Sequence, residues 1–157
     1  MTPFSNLLLA FGVVVFALAW LKGGHPERFG ALVLTLGYLE AMLLPVVKVM
    51  GDLVLFDAIA DFTLLVIFLW MALRGRRWWP FLAAAVMFLT MMVHAAMVLI
   101  PELDTRADMS ARMGLTLLLV LGLLAGIGER WLAGERPVTD PSTWLRPRPR
   151  QARRPSM

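Results

Sequence analysis

The sequence predicts an all-α integral membrane bundle of five transmembrane helices, on three observations. Apolar residues make up 59% of the 157-residue chain and the mean hydropathy is +0.73, whereas soluble domains hold about 45–50% apolar residues. Those residues gather into five runs of membrane-crossing length, separated by charged or Gly/Pro-rich breaks. Basic residues then fall almost entirely on one side of the resulting topology.

Span one is expected at about Phe4–Leu21, ending before Gly23-Gly24 and Pro26. Span two, about Phe29–Met50, contains Glu40 and Pro45 and turns at Gly51-Asp52. Span three, about Leu53–Leu73, ends at Arg74-Gly75-Arg76-Arg77. Span four runs about Trp79–Ile100 and stops at Pro101; Asp108 or Ser110 caps span five, about Ala111–Leu132. Each is close to the ~20 residues that carry a helix across ~30 Å of hydrocarbon. Residues 1–132 thus form the bundle, and 133–157 a basic tail.

With the amino terminus outside and the carboxyl terminus cytoplasmic, twelve of the fifteen basic residues lie on the cytoplasmic side, leaving Lys48, Arg106 and Arg112 outside. Trp20, Trp70, Trp78, Trp79 and Trp131 fall at that same cytoplasmic interface, which suits an amphipathic indole. Ala17-Leu18-Ala19 resembles a signal-peptidase site, but no positive charge precedes the apolar run, so span one is expected to stay in place.

The chemistry-bearing residues are those that hydropathy alone would forbid. Glu40, Asp57, Asp61 and His94 sit inside the spans, where an Asp at a helix centre costs about 2.5–3.5 kcal/mol on insertion scales. Asp57 and Asp61 are four apart and share a helix face. Glu40 and Asp61 lie at similar distances from the Gly51 turn, hence at matching depth. Thr90 lies one turn from His94, Lys48 lies nearer the outer mouth within reach of Asp57, and Pro45 frees the Ala41 carbonyl beside Glu40. A carboxylate–imidazole set of this kind fixes helix packing, relays protons, takes up a cation or ligates a metal.

Other features bound the function. Cysteine is absent, which excludes disulfides, thiolate metal sites and cysteine nucleophiles within this chain. No Ser–His–Asp arrangement, phosphate-cradling glycine loop or zinc-protease His-Glu-x-x-His pattern occurs, so nothing argues for catalysis and no cofactor or metal is expected. Gly122 and Gly126 form a GxxxG pair, expected to pack span five within the bundle. The eleven methionines read as gap-fillers. The tail, with Arg146, Arg148, Arg150, Arg153 and Arg154 among prolines, is expected to stay unfolded and to attract anionic lipid headgroups; no element for reading nucleic acid accompanies it.

Gly23-Gly24-His25-Pro26-Glu27-Arg28 after span one, Asp57 and Asp61 opening span three, Arg77-Trp78-Trp79-Pro80 before span four, and His94 late in it resemble a group of small multi-pass inner-membrane proteins of alphaproteobacteria, sphingomonads especially. The resemblance covers the five spans and not the tail. It implies a bacterial inner-membrane location and brings no activity; His25 stands where the group would have a smaller residue. The expectation is a non-catalytic small subunit or scaffold whose polar cluster is structural, with a membrane-protein partner or a second copy as its counterpart. The alternatives are a small proton- or cation-handling permease using Glu40, Asp61 and His94, and a metal- or cofactor-binding membrane protein.

Overall fold

The computed structural model describes residues 3–43, 55–75, 77–100 and 105–134, and all regular structure among them is α-helical. The helices are α1 (Pro3–Lys22), α2 (His25–Leu43), α3 (Leu55–Arg74), α4 (Trp79–Leu99) and α5 (Thr105–Leu132). Three of them are long and apolar enough to cross a membrane: α3, α4 and residues 106–132 of α5. The apolar stretch Asn6–Lys22 of α1 is shorter.

Two helices begin earlier than hydropathy predicts, each for a local reason. The start of α2 moves from Phe29 to His25 because Glu27, at the third helical position, turns back on the turn before it. Its Oε2 accepts the Gly24 N–H at 2.8 Å, half of a capping box. Helix α5 begins at Thr105 rather than Ala111 because Thr105-Arg106-Ala107-Asp108-Met109-Ser110 is polar but holds no helix breaker. With its 28 residues, α5 is about 42 Å long. The early start sets Arg112 two turns inside the helix instead of at its mouth.

Consecutive helices pack against one another, α1 also packs on α5, and α2 touches α5 across the middle. Side-chain pairs fix the directions. Asp61 near the start of α3 meets His94 near the end of α4, so these two run antiparallel. Glu27 at the start of α2 meets Trp79 at the start of α4 and Arg130 near the end of α5. The bundle therefore has a "57/94/112" end and a "27/79/130" end.

The core runs through all five helices, with Val15 and Ala19 of α1, Leu34 of α2, Phe68 of α3, Val86 of α4 and Leu123 of α5 in one cluster. The outward faces are apolar as well: Val13, Leu36, Ile59, Phe62, Val66, Phe81 and Phe88 are all exposed. A helix apolar all round belongs in lipid or in a large core. Trp20, Trp70, Trp78 and Trp131 are exposed at the 27/79/130 end, where Arg28 covers the Trp20 ring at 5.7 Å and Arg74 the Trp70 ring at 5.5 Å. Trp79 departs from the expected interfacial belt. It is 1% exposed and lies in the core, because Gly30 and Gly126 leave room for its ring between α2 and α5.

Candidate functional site

The site is built on α3, α4 and α5 at the 57/94/112 end. Asp57 and Asp61 project from one face of α3, as their four-residue spacing requires. Antiparallel packing brings His94 of α4 to Asp61, with Nε2 and Oδ2 2.9 Å apart. The Arg112 guanidinium of α5 donates to Asp57 Oδ2 at 2.9 Å and lies 3.5 Å from Asp61 Oδ2. One oxygen of Asp61 is therefore shared between an imidazole and a guanidinium. His94 is buried, while Asp57, Asp61 and Arg112 are each less than a third exposed. Charges so placed are stable only when paired and hydrogen-bonded, and here each has a partner on a neighbouring helix. Protonated, His94 donates to a carboxylate that also holds Arg112; neutral, it does so in the tautomer with the hydrogen on Nε2.

Glu40 stands apart from these contacts but faces the same space. It lines a groove of about 140 Å³ with Tyr38, Asp57, Asp61, Arg112 and Thr116, above a floor of Leu34, Leu64, Met87 and Leu119. Among the described residues Glu40 takes no hydrogen bond or ion pair. Thr90 is buried on α4, but its hydroxyl donates to the Val86 carbonyl one turn back, so it belongs to its own helix rather than to the network. Lys48, Pro45 and the tail arginines, from Arg146 to Arg154, lie outside the described residues. Among the described residues no three His, Asp or Glu side chains converge in a way that could hold a metal ion. His25 opens α2 at the opposite end from His94.

The expected GxxxG pair of α5 faces α4. A Cβ on Gly122 would stand 3.0 Å from Leu82 Cδ2, and one on Gly126 would stand 2.5 Å from Trp79 Cδ1. Those glycines make room for the Leu82 and Trp79 side chains of α4 against α5.

Two functional groups escape a reading by sequence. Arg112, the counter-ion of both aspartates, reads as an outer-loop cation when span five is started at Ala111. The signal that would have found it is the mismatch of charge at depth: two aspartates on one face demand a cation, and Arg112 falls within the helical run. The second is Glu27. It is fully buried, accepts Trp79 Nε1–H at 3.3 Å and lies 3.9 Å from Arg130. Close by, Arg77 pairs with Glu129 at 3.5 Å. Glu27 thus ties α2, α4 and α5 together at the far end as Asp61 ties α3, α4 and α5 at the near one. The double glycine before it is a matter of space, since a Cβ on Gly24 would overlap the Arg130 guanidinium and one on Gly23 the Ala19 carbonyl.

No family model matches the chain, and neither a curated protein nor a solved structure is detectably similar to it.

Proposed function

We propose that the chain crosses a bacterial inner membrane five times, amino terminus outside and carboxyl terminus inside, and acts as a non-catalytic small subunit or scaffold. In this reading the Asp57–Arg112–Asp61–His94 network exists to fix helix packing. The observation that carries it is the sharing of Asp61 between His94 and Arg112, which ties three helices together at one carboxylate. The topology is supported by the twelve-to-three split of basic residues and by the tryptophans gathered at the 27/79/130 end. The arginine-rich tail then lies on the cytoplasmic leaflet, where each basic residue near anionic lipid contributes about 1 kcal/mol.

The test is purification in mild detergent from native membranes, with quantitative mass spectrometry of what accompanies the protein. A membrane partner at fixed stoichiometry, retained by Asp61→Asn and lost when Arg112→Met loosens the bundle, is the expected outcome. A lone, monodisperse protein that moves protons or cations in proteoliposomes would reject the scaffold reading. That second reading rests on Asp61 bordering the groove while bonded to His94, which sets a carboxylate–imidazole pair beside open space.

A further inference from the structure

The groove beside the network has an asymmetry that the packing role does not use. Its mouth holds three carboxylates, Glu40, Asp57 and Asp61, against one guanidinium, Arg112. Arg112 is engaged by both aspartates, and His94 reaches Asp61 without lining the groove. Even with His94 charged, the described residues of the groove and network leave one negative charge in excess, and Glu40 is the carboxylate without a hydrogen bond or ion pair among the described residues. The floor is of the opposite kind: Leu34, Leu64, Met87 and Leu119 come one each from α2, α3, α4 and α5. Leu34 is six residues before Glu40 on α2, which puts the floor about 9 Å deeper along the bundle. The hydroxyl of Tyr38, on the same wall, is buried without a hydrogen-bond partner among the described residues. The cavity, about 140 Å³, has room for about five waters at their liquid volume of about 30 Å³ each.

We propose that this groove binds a small monovalent organic cation, its ammonium or guanidinium head on Glu40 and an apolar body of about 9 Å on the four-residue floor. An inorganic cation fits poorly, because hard cations need several oxygens converging on one point and no such convergence exists among the described residues. A neutral lipid chain would fill the floor but leave the excess negative charge of the mouth without a counter-ion. A hexylammonium ion satisfies both ends. The inference goes beyond the scaffold reading and does not depend on it.

Isothermal titration of the purified full-length protein in dodecyl maltoside tests it, with hexylammonium, hexanol, hexanoate and sodium chloride as probes. Hexylammonium binds saturably, one per chain, and the other three give no saturable heat. Glu40→Gln weakens hexylammonium by about tenfold or more, as loss of a charge-assisted hydrogen bond requires, while its melting temperature does not fall below the wild-type value, because Glu40 makes no hydrogen bond or ion pair among the described residues. Ala60→Phe, at an alanine of α3 that lines the groove, adds a ring to that space without replacing Glu40 and also abolishes binding. Undiminished binding to Glu40→Gln, or hexanol binding as well as hexylammonium, would show simple partitioning and overturn the proposal. Sodium binding that depends on Glu40, or no binding by any probe, would overturn it equally.

Discussion

Replacing Gly126 by alanine adds one methyl group at a crowded point of the bundle, and the structure sets what it costs. The new Cβ would stand 2.5 Å from Cδ1, 2.7 Å from Cγ and 3.2 Å from Cβ of Trp79, whereas carbon atoms rest at about 3.5–4.0 Å. The indole must therefore retreat by about 1 Å. It has nowhere to go. A Cβ on Gly30 would already overlap the far edge of the ring, Phe68 meets it edge-on at 6.0 Å, and Nε1 is held by the buried Glu27. Overpacking of this kind costs about 1–3 kcal/mol. Alanine also gains up to about 1 kcal/mol over glycine in helix propensity, so the comparison must be made within one helix. Gly114 and Gly128, also in α5, have nothing within 4 Å of an added Cβ. Gly128→Ala should therefore be neutral or stabilising, and Gly126→Ala less stable than Gly128→Ala by about 1–3 kcal/mol. Gly122→Ala should fall between, since the Leu82 side chain it meets at 3.0 Å can rotate. The assay is denaturant or thermal unfolding of the three variants in a single detergent, followed by the helical circular dichroism signal. Equal stability of the Gly126 and Gly128 variants would refute the packing of α5 on Trp79.

Further outcomes follow from the same contacts. Glu27→Ala takes the acceptor from the buried Trp79 N–H and the carboxylate from beside Arg130 and should destabilise by about 3 kcal/mol, whereas Glu27→Gln keeps an acceptor and should cost clearly less in the same melt. Trp79→Phe leaves a void beside Gly30 and Gly126 and should lower stability by about 1–3 kcal/mol, while Trp78→Phe, half exposed one residue earlier, should change the melt little. Asp61→Asn retains hydrogen-bonding atoms for His94 and should fold, but should melt below wild type because Arg112 keeps only Asp57; a melt unchanged from wild type would count against the shared carboxylate.

What the sequence revealed and what it hid divide along a physical line. The pairing of Asp61 with His94 was legible because ionisable groups at membrane depth have few tolerable partners, and helix spacing orders the candidates by depth and face. The shared face of Asp57 and Asp61 is simple helix geometry. Arg112 was misplaced because hydropathy detects greasy residues rather than helix, and Thr105–Ser110 is a polar stretch that is helical all the same. Glu27 reads as a loop charge beside a double glycine. Its burial depends on Trp79 and Arg130, contributed by helices distant in sequence, and no local pattern announces that. Trp78 and Trp79 are identical neighbours in composition; only the rotational phase of α4, and the two glycines facing it, sends one outward and the other into the core. The groove below Glu40 was not legible, because its lining comes from four helices that are distant in sequence.

The central claim is that α3 and α5 are bound to each other through charge. The direct measurement is a double-mutant cycle on the Asp57–Arg112 pair, using unfolding free energies of wild type, Asp57→Asn, Arg112→Met and the combined variant in one detergent. The account predicts that the combined variant loses less than the two single losses added together, with a coupling of about 1–3 kcal/mol. Additive losses, agreeing within about 0.3–0.5 kcal/mol, would mean that the two side chains do not interact in the folded protein, and the network would be contradicted.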